Sequence, residues 1–403
     1  MKAVMYGAGN IGRGFVGALF AQSGYDVTFI DVDQRVIDSL NAEHRYPVRI
    51  VSDDGYEDIE INGVEAVSGK DGDIVAQAIA EADIMATAVG VNVLKLIIPN
   101  IVAGIRGRFA LTSRPLNIII CENLNDANKI IEGMIKETLT AEECTLFDQR
   151  IGLVEASIGR MVPVQTPEMQ DGEPLRVCVE RYGFLPVDKA AFKGEIPSIQ
   201  NMVPCSPFDF YIKRKLFIHN MGHAACAYLG GYSGREYIAE SIADNEIFII
   251  VHGAMLESAQ ALAKQYGTDI TEIINHIDDL LSRFANTALK DTCQRVGGDP
   301  KRKLQPSDRL VGAALLCLRH GVVPANICTG IAGAVWRYIN ENNLEQTNES
   351  VLSVLREVSG LSADSPIAAM VLQISHQFRQ RNSISAIRQT AAAIRIRALG
   401  DIV

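Results

Sequence analysis

The chain has 403 residues, 48% of them hydrophobic and 21% charged, with 33 glycines and 14 prolines, a globular composition that excludes disorder as the organising theme. Its 48 acids and 38 bases give a net charge of −10, which argues against whole-surface attraction to nucleic acid or anionic lipid but leaves room for a local basic site for a small anion. Eight dispersed cysteines without a C-x-x-C pair read as reduced thiols, the opening residues run straight into glycines, and the apolar stretch 84–105 is broken by Asn92, Lys95, Pro99 and Asn100, so a cytoplasmic protein without a membrane span is expected.

Over the first 150 residues, short β-rich runs alternate with amphipathic helical runs, the pattern of a parallel sheet covered by helices. Strands are predicted at 3–6, 26–30, 84–89 and 117–121, with helices at 11–23, 34–42 and 74–82. Period-2 alternation over 47–67, around Asn62-Gly63, predicts a hairpin that leaves the parallel sheet. Further strands are expected at 151–157 and 175–180. After Pro204 the period changes to 3.6, predicting helices at 210–229, 238–266, 270–289, 308–320, 325–341, 349–358 and 367–399. The expected fold class is therefore α/β. An N-terminal Rossmann-type parallel sheet domain with antiparallel additions spans 1–203, and an all-helical C-terminal domain spans 204–403, with the Pro-, Ser- and Asn-rich segment 196–207 as linker.

Gly7-Ala8-Gly9-Asn10-Ile11-Gly12 directly follows the first strand and opens a helix, the context that gives G-x-G-x-x-G its meaning. Gly7 allows the tight turn, Gly9 lets the backbone approach a pyrophosphate, and Gly12 permits close packing of helix on strand, while the helix start around Asn10 and Ile11 presents N–H groups to the anion. Asp31 closes the second strand nineteen residues beyond Gly12, where a carboxylate accepts from an adenosine ribose and repels a 2′-phosphate. NAD is thus the expected cofactor, with Arg35 a weak opposing cue. Ala88 and Val89, and Asn123 in Cys121-Glu122-Asn123, sit at two further strand ends and are candidate cofactor contacts, although such ends also serve as loop punctuation.

The segment 211–223 reads Tyr-Ile-Lys-Arg-Lys-Leu-Phe-Ile-His-Asn-Met-Gly-His. In a regular helix, about 100° per residue puts Asn220 near 140° and His223 near 80° from Lys215. One broad face would then carry a base and two hydrogen-bonding groups. Oxidising an alcohol needs a group to take the hydroxyl proton and donors for the developing alkoxide. Lys215 fits the base when burial or neighbouring cations lower its pKa; Asn220 and His223 fit the donors, with His219 a competitor. The same residues also read as a solvated lysine and a core histidine. With no H-E-x-x-H and no paired-cysteine site, a zinc-free mechanism is expected, with no bound metal. A second basic run, 301–309, contains Arg302, Lys303 and Arg309, suited to a phosphate, although a charge run is more often a solvated loop.

Several of these stretches resemble the mannitol-1-phosphate 5-dehydrogenases, within the polyol-specific long-chain dehydrogenase family. They are the glycine turn through Arg13-Gly14-Phe15, Cys121-Glu122-Asn123, Phe192-Lys193-Gly194, the Lys215-x4-Asn220-x2-His223 spacing, Gly253-Ala254-Met255, Arg295-Val296-Gly297, and Arg302-Lys303-Leu304 with Asp308-Arg309-Leu310. The resemblance implies zinc-independent, NAD-linked interconversion of D-mannitol 1-phosphate and D-fructose 6-phosphate. It implies Lys215 as general acid/base, Asn220 and His223 orienting and polarising the reacting oxygen, and the Arg302 to Arg309 segment holding the phosphate. One segment departs from the family pattern of Asn or Asp five residues before an Arg-hydrophobic-x-Pro stretch with Asp directly before the Arg. Here Glu155 and Gly159 precede Arg160-Met161-Val162-Pro163, and Glu155 is expected to approach the substrate. Arg379, Arg381, Arg388, Arg395 and Arg397 lie outside the resemblance and read as a solvated helical face. The alternatives are a dehydrogenase of an unphosphorylated polyol or hexuronate, and an NAD-binding redox sensor without turnover. The expected partner is a small sugar phosphate, not nucleic acid or membrane, and the oligomeric state stays open.

Overall fold

The computed structural model describes residues 1–124 and 126–400. Two compact units are formed, Met1–Tyr211 and Ile212–Val403.

The first unit contains strands β1 (Lys2–Tyr6), β2 (Asp26–Asp31), β3 (Arg45–Ser52), β4 (Gly55–Asn62), β5 (Val64–Ser68), β6 (Ile84–Thr87), β7 (Leu116–Ile120), β8 (Ile151–Glu155), β9 (Val177–Val179), β10 (Leu185–Asp188) and β11 (Met202–Cys205). Six of them make a parallel sheet in the order β5-β2-β1-β6-β7-β8. The chain moves outward from β1 to β5, then returns past β1 to β6. The carboxyl ends of β1 and β6 therefore flank the point where the strand order reverses, the place where open α/β sheets bind ligands. Both faces are covered, as in Leu116–Ile120, where every residue is buried. Ala3, Met5 and Phe29 pack into one core while Val4, Tyr6 and Ile30 pack into the other, following the two-residue alternation of a strand.

One feature of this unit differs from the sequence expectation and a second goes beyond it. The antiparallel hairpin is β3–β4, with Ser52 opposite Gly55, so its turn is Asp53-Asp54 and not Asn62-Gly63. Gly63, at φ 73°, instead redirects the chain into β5, which rejoins the parallel sheet beside β2. Second, the apolar stretch around Pro99 is the helix Leu94–Leu111. Pro99 is tolerated there because it and Lys95, whose carbonyl loses its partner, both lie on the exposed side where water replaces the bond. A three-stranded sheet β4-β3-β9 and the parallel pair β10-β11 complete the unit.

The second unit is helical throughout, and its breaks follow local chemistry. The expected helix 238–266 is split because Asp244 turns back to accept from the Glu246 and Ile247 N–H groups, capping Asn245–Tyr266. That helix is long and apolar enough to cross a membrane by composition, and 56% of its apolar window is buried inside the structure. The expected helix 367–399 is two, Pro366–Arg379 and Ile384–Gly400, with Arg381 left-handed between them. The C-terminal arginines are not simply a solvated face. Arg388 is ion-paired with Glu246 at 2.5 Å, and Arg381 lies over the Trp336 ring.

Candidate functional site

The glycine turn is shaped by space as much as by conformation. Gly7 has φ 102°, and a Cβ there would lie 2.5 Å from the Ala88 carbonyl oxygen. At Gly12 a Cβ would fall 1.9 Å from the Gly7 oxygen. At Gly9, by contrast, it would meet nothing within 4 Å, so this backbone is bare on its open side, as a cradle for a pyrophosphate must be. Asp31, at the end of β2, fastens the turn: Oδ2 accepts from the Ala8 N–H at 2.7 Å, and Oδ1 from Val32 and Asp33 at 2.7 and 3.0 Å. Three of the carboxylate's roughly four acceptor positions are thus used, leaving one toward a ribose hydroxyl. The helix after the turn begins with a π turn, Gly12–Val16, in which the Gly17 N–H reaches back five residues to the Gly12 oxygen. Asn10 is exposed and Ile11 half-buried at this start.

Glu122, which the sequence places only within the strand end Cys121-Glu122-Asn123, has a definite structural part. Its buried carboxylate accepts from Thr87 Oγ1 at 2.7 Å and from the Val89 N–H at 3.2 Å, tying together the ends of β6 and β7. Burial pushes its pKa up, against the pull of those donors. Ala88 and Val89 therefore sit fixed beside Gly7, while Asn123 is exposed next to Glu122. The donor arrangement, the open Gly9 backbone and the Asp31 carboxylate together fit NAD. Glu155, ending β8, is half-buried; burial raises its pKa, as do Asp126 and Asp188, while the Asn128 N–H and Lys129 oppose the shift.

In the second unit, Lys215–Asn220 is also a π turn, between the helices Phe208–Arg214 and Met221–Tyr232. An i→i+5 turn absorbs one extra residue and rotates the downstream residues back by roughly 100°. Relative to Lys215, Asn220 moves from about 140° to about 40°, and His223 from about 80° to about −20°. The three residues thus share a much narrower face than a regular helix would give, and all three are half-buried.

His219 separates from them. It is 7% exposed and lies against Phe284, and burial, with Arg283, His223, Lys215 and His276 around it, holds its pKa well below the usual imidazole range. It is a neutral core histidine. His223 stacks on the same Phe284 ring at 4.8 Å, and its Nε2 lies 3.2 Å from Asp291 Oδ2. Asp291 is itself held by Arg295, whose Nε and Nη2 donate to Oδ1 at 2.9 and 2.5 Å. Burial works against ionisation of Asp291, but His223 and Arg295 together outweigh it and hold its pKa below the usual carboxylate value. The backbone around Asp291 is pinned as well, through Ile238 N–H to Asp291 O and Cys293 N–H to Glu236 O, each 2.8 Å. Sequence reasoning passes over Asp291; the one signal is its i, i+4 spacing to Arg295.

The basic run is only partly solvated, contrary to the loop reading. The Arg302 side chain is 49% exposed, but that of Arg309 is 11% exposed, and Lys303 is 5% exposed. Arg302 Nη1 and Arg309 Nε both donate to Asp308, at 3.1 and 2.7 Å. Lys303 Nζ donates to the Gly298 carbonyl, and burial, then the charges of Arg309 and Arg302, push its pKa down to about 8. Among the described residues, no group of three or more His, Cys, Asp or Glu is arranged to hold a metal.

Comparison with known proteins agrees with a division into two domains. Residues 1–201 match the mannitol dehydrogenase Rossmann domain, and residues 208–394 match the mannitol dehydrogenase C-terminal domain. Among solved structures, Pseudomonas fluorescens mannitol 2-dehydrogenase in a ternary complex with NAD and D-mannitol is similar with a TM-score of 0.75 at 14% identity, over 98% of this chain and 94% of that one. A D-sorbitol dehydrogenase in substrate-free form is similar with a TM-score of 0.76 at 14% identity, over 96% and 95% of the two chains. At that identity the structural likeness speaks for the fold, while the two domain matches span most of the sequence. The chain belongs to the mannitol dehydrogenase family, NAD-dependent polyol dehydrogenases with a Rossmann domain followed by a helical C-terminal domain.

Proposed function

We propose that the protein interconverts D-mannitol 1-phosphate and D-fructose 6-phosphate, with Lys215 as general acid/base and without zinc. The observation that carries the phosphate part is the compact cluster Arg302, Lys303 and Arg309, two of whose cations are held out of bulk solvent. Removing a cation from water is costly unless something recovers the loss, and a phosphate, with more acceptor oxygens than Asp308 offers, would do so.

NAD, when bound, supplies the hydride acceptor. Gly7, Gly9, Gly12 and the Asn10-Ile11 helix start would hold its pyrophosphate, Asp31 its ribose, and Ala88, Val89 and Asn123 would line its path. During oxidation, Lys215 as free amine takes the hydroxyl proton; during reduction, as ammonium, it returns a proton to the carbonyl oxygen. Asn220 donates its side-chain amide to that oxygen. His223 donates to it from one ring nitrogen while the other lies beside Asp291, so Asp291 acts as a positioning residue that fixes the ring. Glu155 contributes a half-buried acceptor for a substrate hydroxyl.

A dehydrogenase of an unphosphorylated polyol is the second reading, favoured by the mannitol and sorbitol named for the two structural neighbours. Initial rates of NADH consumption with fructose 6-phosphate, fructose and fructuronate separate the two. The proposal requires the phosphate ester to be turned over best. It also requires Arg309→Ala to raise KM for the ester by roughly 10–100-fold, the worth of one charge-assisted contact, with little effect on fructose. Equal or better kcat/KM with fructose overturns it.

A further inference from the structure

We propose a second anion site in the helical unit: a pocket between the helices Asn245–Tyr266 and Ile384–Gly400, at the start of Ala325–Glu341, that takes a small oxyanion of the phosphate class.

The cavity has a volume of about 280 Å³ and is lined by Ile249, His252, Gly253, Asn326, Arg388 and Arg395 among others. That is far more than one water needs and falls near the lower limit for small-molecule pockets. Lys215, Asn220, His223 and the Arg302 to Arg309 segment are not among its lining residues. Arg388 is neutralised by Glu246; Arg395, seven residues and two helical turns further on, has no ion pair or hydrogen bond among the described residues and meets the buried Glu257 only through space. The remaining polar lining offers the Asn326 amide and the His252 imidazole, both able to donate.

The one buried carboxylate nearby, Glu257, is already engaged. It accepts from Asn326 N–H at 2.9 Å, Asn326 Nδ2 at 2.7 Å and Ile327 N–H at 3.0 Å, capping the helix Ala325–Glu341 from the side. Burial pushes its pKa up to about 7, so near neutral pH it is only partly charged and opposes an anion in the pocket weakly. Gly253 keeps the pocket wall in place: a Cβ there would come within 2.7 Å of Asn326 Nδ2. A guanidinium without an ion-pair partner, beside fixed donors in a partly enclosed space, is an oxyanion site by composition, since Arg offers a planar fork to phosphate oxygens.

The test is isothermal titration calorimetry of the full chain with inorganic phosphate at constant ionic strength, with glycerol phosphate as a second titrant to separate a free ion from a phosphate ester. Because phosphate could also reach Arg302 and Arg309, the titrations include Arg309→Ala. The proposal expects phosphate-class binding in the wild type that survives Arg309→Ala and weakens at least about tenfold in Arg395→Ala, the loss of one charged contact. Tighter binding of glycerol phosphate than of phosphate identifies an ester as the ligand, and the reverse identifies the free ion. Arg395 is exposed, so its removal does not threaten folding. Binding that is unchanged in Arg395→Ala, binding lost in Arg309→Ala alone, or no binding in the wild type overturns the proposal. Loss in Arg309→Ala alone would leave the substrate-phosphate reading intact.

Discussion

Replacing Asp291 by asparagine keeps the side chain's size but removes its charge and one of its two acceptor oxygens. The native carboxylate, 9% exposed, serves two partners, Arg295 on Oδ1 and His223 on Oδ2. His223 Nε2 is close to Oδ2 but outside hydrogen-bond geometry, so the contact reaches about 1.5–3 kcal/mol, the worth of a hydrogen bond to a charged group, only when the ring turns to close it. The Arg295 side chain is 50% exposed, so solvent replaces most of what it loses. His223, at 15%, has no such recourse, and the penalty concentrates on the ring proposed to polarise the substrate oxygen. Carried to the transition state, about 1.5–3 kcal/mol is roughly a 10–150-fold loss in kcat/KM. Most of it should appear in kcat, because the interaction strengthens as charge develops on the oxygen. The assay is steady-state NADH consumption across pH, beside a thermal melt of the variant. If Asp291→Asn stays within about threefold of wild type while His223→Ala falls by more than about a hundredfold, the positioning role is wrong.

Three further outcomes rest on the same geometry. Gly12→Ala drives a Cβ into the Gly7 carbonyl, which cannot yield, and should destabilise the first unit by about 1–3 kcal/mol and abolish NADH binding in a fluorescence titration. Gly9→Ala, with open space at its Cβ, should melt like wild type yet bind NADH at least about tenfold more weakly; native affinity there would refute the pyrophosphate cradle. Glu257, 4% exposed, is pushed by burial from 4.5 up to about 7. The folded state then keeps a proton that the unfolded chain releases between those values, so this group's stabilisation is full below pH 4.5 and is lost as pH rises through 7. The stability difference between wild type and Glu257→Gln, from urea melts across that window, should fall by about 3 kcal/mol, and a flat difference would refute the assignment.

The parts of this protein legible in its sequence are those governed by local rules. The glycine turn, Asp31 at a strand end and the 3.6-residue periodicity after Pro204 each depend on residues close together in the chain, and each stands where the pattern puts it. The hairpin turn is misplaced by sequence pattern because Asn62-Gly63 carries the stronger turn chemistry; Asp53-Asp54-Gly55 closes the hairpin because that register buries Tyr46, Val48 and Ile50. The π turn at Lys215 leaves no trace in hydrophobic periodicity, since Phe217, Ile218 and Met221 are buried in either geometry, yet it decides which side chains share a face. Asp291 is hidden for a different reason. Its partner His223 lies 68 residues away, and only the fold, with Arg295 as anchor, brings the two together.

Proton transfer by Lys215 is tested most directly by adding small primary amines to Lys215→Ala and following polyol oxidation. Loss of the base should cost roughly 10²–10⁴-fold in kcat. The rate should then recover in proportion to added amine, with larger recovery for more basic amines of equal size. Near-native turnover by Lys215→Ala without any amine would contradict the account.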